Sequence, residues 1–354
     1  MPKINKHIEI VRSSKPRLSS MSQRSCNAIF KTLSKHYSKV GITTVNNLAE
    51  LKALAARQPD LAFLGMMFVP ADSASVLLDY GRVSVPTYLE DHGIACTGSS
   101  QAAHELEHDK PLAKQRALDA GLNTSPFHVI KQGQMQTINT LPLSFPLFVK
   151  PASQGGGSGI DSASLVWNSE ELKSKIQSIN TEFNSDCLVE EYLPGREFSV
   201  AILKNEQSPD YSIMPLELIA PLIKGARLLS GDVKSADTEQ ATKITNEIIK
   251  LKVEALAIDA FHALGARDYG RIDIRMDKFG TPHFLEANLL PSLISGYGSF
   301  PKACVMNLGL DYESMILQIV RLGLKRDLDI NEEVVGPLIT VPVIPSFETA
   351  LESA

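Results

Sequence analysis

The sequence predicts an α/β protein built in three parts. Three observations carry this. Over the first 108 residues, short apolar strands alternate with amphipathic helices, the pattern of a parallel layer. At Phe145–Lys150 a strand runs into a loop rich in glycine. Further on, two strands, Gly270–Met276 and His283–Ala287, are joined through Asp277-Lys278-Phe279-Gly280 and read as a hairpin. With 354 residues the chain is long enough for two or three domains and a sizeable core.

In order, His7–Val11 reads as a strand and Ser22–His36 as an amphipathic helix. Leu61–Leu64 is a strand, and Ala95–Thr97 is another after the His92-Gly93 turn. Phe127–Leu143 is polar and without period, so it is expected to loop over the surface. Ser169–Phe183 is a helix with Asn168 or Ser169 as cap and Glu170 and Glu171 in the first turn, where carboxylates suit the helix dipole. Cys187–Tyr192 and Glu197–Lys204 are strands split by Pro194-Gly195. Thr238–Leu264 is expected to be the longest helix. Its apolar residues Ile244, Ile248, Leu251, Ala255, Ile258, Phe261 and Leu264 step by three or four, and Gly265 ends it. Residues 326–354, with Pro337, Pro342 and Pro345, are expected to form an extended tail. The domain boundaries that follow are 1–108, 109–195, 196–325 and 326–354.

The net charge of −5 is a poor basis for broad nucleic-acid binding. Cys26, Cys96, Cys187 and Cys304 lie far apart with no CxxC pair, which fits reduced thiols better than disulfides or a zinc knuckle. Residues 1–12 are charged at Lys3, Lys6, Glu9 and Arg12 and carry no signal-peptide pattern. The longest apolar run, Ala62–Ala71, is short of the roughly 20 residues a membrane span needs. The expectation is a soluble cytoplasmic protein without membrane or nucleic-acid partners.

The hairpin carries the first chemical signal. Residues two apart on a strand share a face, so Arg271 and Asp273 form one pair and Glu286 and Asn288 another. Pairing the strands gathers one arginine, two acids and an amide. Hard oxygen ligands suit Mg²⁺, and an arginine suits charge on a transferring phosphoryl group. The alternative is a surface salt-bridge ladder. The second signal is Lys150-Pro151-Ala152-Ser153-Gln154-Gly155-Gly156-Gly157-Ser158-Gly159, in which glycines let backbone N–H groups cradle phosphate beside a lysine. It is neither a Walker A loop nor a GxGxxG fingerprint, and alone it also fits a plain turn. Third, Glu190-Glu191-Tyr192-Leu193-Pro194-Gly195-Arg196-Glu197 can offer backbone and carboxylates to an adenine and a ribose, or it is a solvated hairpin. His104-Glu105-Leu106-Glu107-His108 matches the HExxH zinc signature, but its flanks are small and polar and no third ligand has a context. A solvated, charged helix end is the simpler reading there, and a zinc hydrolase the rival one.

Taken in order, Asp109-Lys110 with Leu118–Leu122, the lysine–glycine loop, LVEEYLPGREFSVAIL and GRIDIRMDKFGTPHFLEAN resemble the ATP-grasp superfamily, and within it the D-alanine:D-alanine ligases, over residues 8–320. The resemblance implies an ATP-grasp fold: an N-terminal parallel α/β domain, a lid subdomain and a C-terminal antiparallel subdomain. It implies an ATP-dependent carboxylate–amine ligase working through an acyl phosphate on small-molecule substrates. Carried over to this chain, Lys110 and Lys150 hold ATP phosphates under the backbone of Ser153, Gly155, Gly156, Gly157, Ser158 and Gly159. Glu190 and the Leu193 backbone read adenine, and Glu197 reads the ribose. Asp273, Glu286 and Asn288 bind two Mg²⁺, and Arg271 stabilises the acyl phosphate and the tetrahedral oxyanion. Lys234 matches the family's mobile-loop lysine near the γ-phosphate, with Lys224 as competitor. A homodimer is implied only by the resemblance.

The amino-acid side departs from the family. Where the family has a glutamate for the first D-alanine ammonium, this chain has Lys15. Two substrate-facing serines of the glycine loop become Gly156 and Gly157, and a glutamate becomes Gln154. After Asn288 the family's Pro-Gly-Met-Thr becomes Pro291-Ser292-Leu293-Ile294, with an added residue in Ser295–Phe300. Lys15, Ser292 and Ser295 are thus expected on the substrate side, with altered specificity. The alternatives are a true D-alanine:D-alanine ligase and a non-catalytic ATP-binding regulator.

Overall fold

The computed structural model describes residues 2–15, 18–71, 81–223, 225–231, 233 and 238–333. Three sheets organise it. The first is fully parallel, in the order Tyr37–Thr44, Ile4–Arg12, Leu61–Leu64, Ala95–Cys96. Its central strand Leu61–Leu64 is buried throughout, which is why it reads as a continuous apolar run. Helix Gln23–His36 covers one side, capped by the Ser22 hydroxyl accepting from the Ser25 N–H.

The second sheet is antiparallel, in the order Phe127–Ile130, Cys187–Glu191, Leu147–Pro151, Leu165–Val166. Phe127–Ile130 is a correction. The segment expected to loop supplies an edge strand, followed by a 3₁₀ turn at Met135–Thr140. A four-residue edge strand buries few side chains, so the sequence shows no period there. Helix Ser169–Phe183 packs on this sheet through Leu172, Ile176 and Ile179, capped by the Asn168 side chain.

The third sheet is also antiparallel, in the order Gln240–Lys243, Tyr211–Ile219, Glu197–Lys204, Tyr269–Met276, Pro282–Asn288. The strands on either side of Pro194-Gly195 therefore belong to different sheets and form no hairpin. The crossover between them is pinned, because the Gly195 N–H donates to the Met276 carbonyl at 3.0 Å. A Cβ at Gly195 would meet that oxygen at 2.5 Å.

The expected helix from Thr238 is a second correction. Gln240–Lys243 pairs as an edge strand, and the helix is Glu247–Ala263, started by the Asn246 side chain accepting from the Ile249 N–H. It buries Val253, Leu256, Ala257, Ala260 and Phe261, and leaves Ile248 and Leu251 exposed. The three-or-four stepping thus merged two faces of the helix. The longest helix among the described residues is Tyr312–Glu333, and it runs on past residue 326, where the tail was expected to begin. The proline-bearing part of that tail lies outside the described residues. The last two helices, Ser299–Leu308 and Tyr312–Glu333, fuse the parallel sheet and the third sheet into one core. Ile8, Ile10 and Phe63 share it with Leu203, Met214 and Leu216 through Phe300, Met315, Ile316 and Ile319. Among the described residues no helix is long and apolar enough to cross a membrane.

Candidate active site

The hairpin places its four polar residues as the alternation rule requires. Arg271 lies opposite Asn288 and Asp273 opposite Glu286 across antiparallel strands. The Arg271 guanidinium grips Asp273 in a two-pronged pair, Nε to Oδ1 at 2.9 Å and Nη2 to Oδ2 at 2.7 Å. The Ser199 hydroxyl donates to the same Oδ1 at 3.0 Å, and Asn288 Nδ2 to Oδ2 at 3.2 Å. Burial works against the charge of Arg271, yet Asp273 outweighs it and raises the arginine's pKa. This is an interior cluster, not a surface ladder: Asp273 is 9% exposed.

Glu286 joins the cluster to the second sheet, with Lys150 Nζ 3.9 Å from its carboxylate. Lys150 also pairs with Glu190 at 2.9 Å. Glu190 receives Lys114 at 2.7 Å and the Ser125 hydroxyl at 3.0 Å on its other oxygen. Burial alone would raise the pKa of Glu190, but Lys114 and Lys150 bring it down to about 2. For Lys150 burial is likewise opposed by Glu190 and Glu286, and the balance raises its pKa. Lys110 and Lys114 are pushed down, by burial first. Lys110 donates to the Gln154 carbonyl and so ties the start of helix Lys110–Asp119 to the glycine loop. Within that loop Gly156, Gly157 and Gly159 have φ of 66°, 80° and 73°, backbone that a side chain would strain.

Between the second and third sheets lies a cleft. Lys150, Glu190, Leu193, Glu197 and Glu286 all line it, beside the apolar walls of Phe148, Ile160, Leu228, Leu229 and Leu285. A mostly apolar slot with a few converging charges is the usual form of a small-molecule site. Arg271, Asp273 and Asn288 stand next to it through Glu286. Of the other expected site residues, Ser153, Gly155 and Ser158 belong to the glycine loop, the Ser158 N–H donating to the Gly155 carbonyl at 3.2 Å. Lys15 is exposed, with its backbone in a local turn; Ser292 is half-buried and Ser295 exposed. Instead, Ser299 brings its hydroxyl to 3.5 Å from Arg271 Nη1. Lys224 and Lys234 lie outside the described residues.

The HExxH segment is not a solvated helix end. His104 is fully buried on helix Gln101–His108, its Nδ1 2.9 Å from Glu107. The other Glu107 oxygen accepts the Leu289 N–H at 2.7 Å, just beyond Asn288. The described residues include no group of three or more His, Cys, Asp or Glu side chains able to hold a metal. Sequence reasoning also passed over Lys114, which lies one helical turn from Lys110, and Arg275, which lies two residues beyond Asp273 on the same strand face.

Comparison with known proteins agrees with this geometry. Residues 117–321 match the family model described as D-ala D-ala ligase C-terminus. The chain is 33% identical, over 74% of its length and 75% of the relative's, to the uncharacterized protein y4sG of Sinorhizobium fredii. It is 27% identical, over 86% of its length and 90% of the relative's, to a D-alanine–D-alanine ligase of Hydrogenovibrio crunogenus. The fold matches the crystal structure of a D-alanine–D-alanine ligase from Bacillus anthracis with a TM-score of 0.70 at 20% identity, covering 92% of this chain and 99% of that one. The chain belongs to the D-alanine–D-alanine ligase family of ATP-grasp enzymes, ATP-dependent ligases that form carbon–nitrogen bonds.

Proposed function

We propose that this ligase joins a carboxylate to an amine through an acyl phosphate, with the nucleotide chemistry of its family and a different pair of amino-acid or dipeptide substrates. One observation carries the reading most: Arg271, Asp273, Glu286 and Asn288 converge beside Lys150 at the mouth of an apolar cleft. Lys110 and Lys150 hold the phosphates, and the backbone of Ser153–Gly159 closes over them. Glu190 stays ionised at neutral pH and, with the Leu193 backbone, faces the base; Glu197 faces the ribose.

Two carboxylates and an amide are the hard oxygen donors that suit Mg²⁺, so Asp273, Glu286 and Asn288 fit this cation, and two ions are expected by family resemblance. Bound there, Mg²⁺ supplies neutralising charge for the phosphoryl group in transfer. Arg271 presents a fixed guanidinium to the charge that grows on the acyl oxygen, a fixed cation costing no reorganisation during the step. Lys234, or Lys224 in its place, is assigned to the γ-phosphate. On the amino-acid side Lys15 replaces an acid, so the first substrate is read as presenting a carboxylate or another anion to it. Ser292 and Ser295 border the same side.

The test is phosphate release from Mg-ATP with amino acids added singly and in pairs, Glu286→Gln serving as control. Release that needs one particular pair, and that Glu286→Gln abolishes, supports the proposal and names the substrates. D-alanine alone sufficing would make the protein a D-alanine–D-alanine ligase with unchanged specificity.

A further inference from the structure

The nucleotide cleft contains an arginine to which the reading above gives no role. Arg275 lines the cleft and is 7% exposed. It lies directly opposite Glu197 in the antiparallel register, and its Nη1 donates to Glu197 Oε2 at 2.9 Å. Its Nη2 donates to the Tyr192 hydroxyl at 2.7 Å and to the Arg227 carbonyl at 2.9 Å. The Tyr192 hydroxyl donates to that same carbonyl at 3.1 Å, and the guanidinium carbon stands 4.7 Å from the centre of the Tyr192 ring.

One buried cation thus joins three separate pieces of the cleft: the crossover at Tyr192, the start of a strand at Glu197, and the ribbon Leu222–Ile223/Ala226–Arg227. That ribbon leads straight into Leu228 and Leu229, which line the cleft. The Nε donor is buried without a partner among the described residues.

We infer that Arg275 is the positioning residue that makes this cleft selective for a ribonucleoside triphosphate. The inference rests on the nucleotide reading of the cleft. A carboxylate that accepts from sugar hydroxyls must keep its charge and stay still. Glu197 is mostly buried, and the guanidinium supplies both the counter-charge and the fixed geometry. Lysine could supply the charge but not the planar fork that reaches three acceptors at once.

The experiment is calorimetric titration of Mg-ATP and of Mg-2′-deoxy-ATP, without amino acids, into the full chain and into Arg275→Met and Arg275→Lys. The unaltered protein is expected to favour ATP by about tenfold, the effect of one charge-assisted hydrogen bond. Arg275→Met should lose about tenfold in ATP affinity and little in 2′-deoxy-ATP affinity, so that discrimination collapses. Arg275→Lys should recover part of it. Equal loss for both nucleotides, or undiminished discrimination in Arg275→Met, overturns the role of Arg275 alone. If the unaltered protein binds neither nucleotide, the reading of the cleft falls and this inference with it. Thermal unfolding checks that each variant folds; should Arg275→Met not fold, the nucleotide ratio of Arg275→Lys decides.

Discussion

The charges beneath the cleft and the segments Ser13–Lys15 and Leu18–Ser20 handle polar groups in opposite ways. Under the cleft Lys114, Lys150 and Glu190 are buried and interlocked, so that each charge answers another. At Ser13, Ser14 and Ser20 the fixing is neutral, through groups of neighbouring loops. Asn46 Oδ1 accepts from the Ser13 hydroxyl at 2.7 Å and the Ser14 N–H at 3.0 Å, and the Gly65 carbonyl accepts from the Ser20 N–H at 2.9 Å. The side chain of Lys15 stands exposed on that frame. The difference teaches where change is tolerated. Removing one member of a buried ion set strands its partners, whereas replacing an exposed residue on a hydrogen-bonded frame alters only what the loop presents.

The contrast can be broken at either end. Lys114→Met should have the largest effect, a loss of about 3–5 kcal/mol, because it leaves Glu190 short of a counter-charge in the interior; urea unfolding at neutral pH measures it. A variant as stable as the parent would show that the network is not interlocked. Arg271→Ala should keep the fold and slow phosphate release by about 10²–10³, the usual effect of removing one preorganised donor. Acid should then separate the regions. Glu190 has a folded pKa near 2 against an ordinary value of 4.5, so its contribution is present above about pH 4.5 and fades as pH falls toward 2. Unfolding followed over that window should be less steep in Lys114→Met. Smallest in stability is Lys15→Glu, expected within about 0.5 kcal/mol of the parent while changing which substrate pair drives phosphate release. Unaltered preference would remove Lys15 from the substrate side.

Much of this was legible in the residues. Alternation along Arg271–Asp273 and Glu286–Asn288 foretold the cross-strand cluster, because a two-residue period leaves a strand little choice of face. Lysine, glycines and hinge acids in order foretold the cleft. What was missed depends on partners distant in sequence. Phe127–Ile130 is a strand only because Cys187–Glu191 offers it an edge. Gln240–Lys243 pairs with Tyr211–Ile219 instead of extending a helix. Tyr312–Glu333 was open to view, since Met315, Ile316, Ile319 and Val320 step at helical spacing into the core. Lys114 and Arg275 follow the same periods as Lys110 and Asp273, but only packing shows that each completes a charge network. His104 matched a zinc motif, but packing turns it to Glu107, a residue the motif does not specify, whose carboxylate latches the Leu289 N–H.

The contact at Gly195 also bears on how such a cleft can diversify. The crossover backbone sits so close to the Met276 carbonyl that every side chain would force the two sheets apart. A lineage carrying this fold cannot explore substitutions at that pivot without shifting the strand Cys187–Glu191 against those that carry Asp273 and Glu286. Variation that survives is channelled outward, into segments such as Ser13–Lys15 and Leu18–Ser20. On that account, surface loops can change while the packing of the two sheets around the cleft stays fixed.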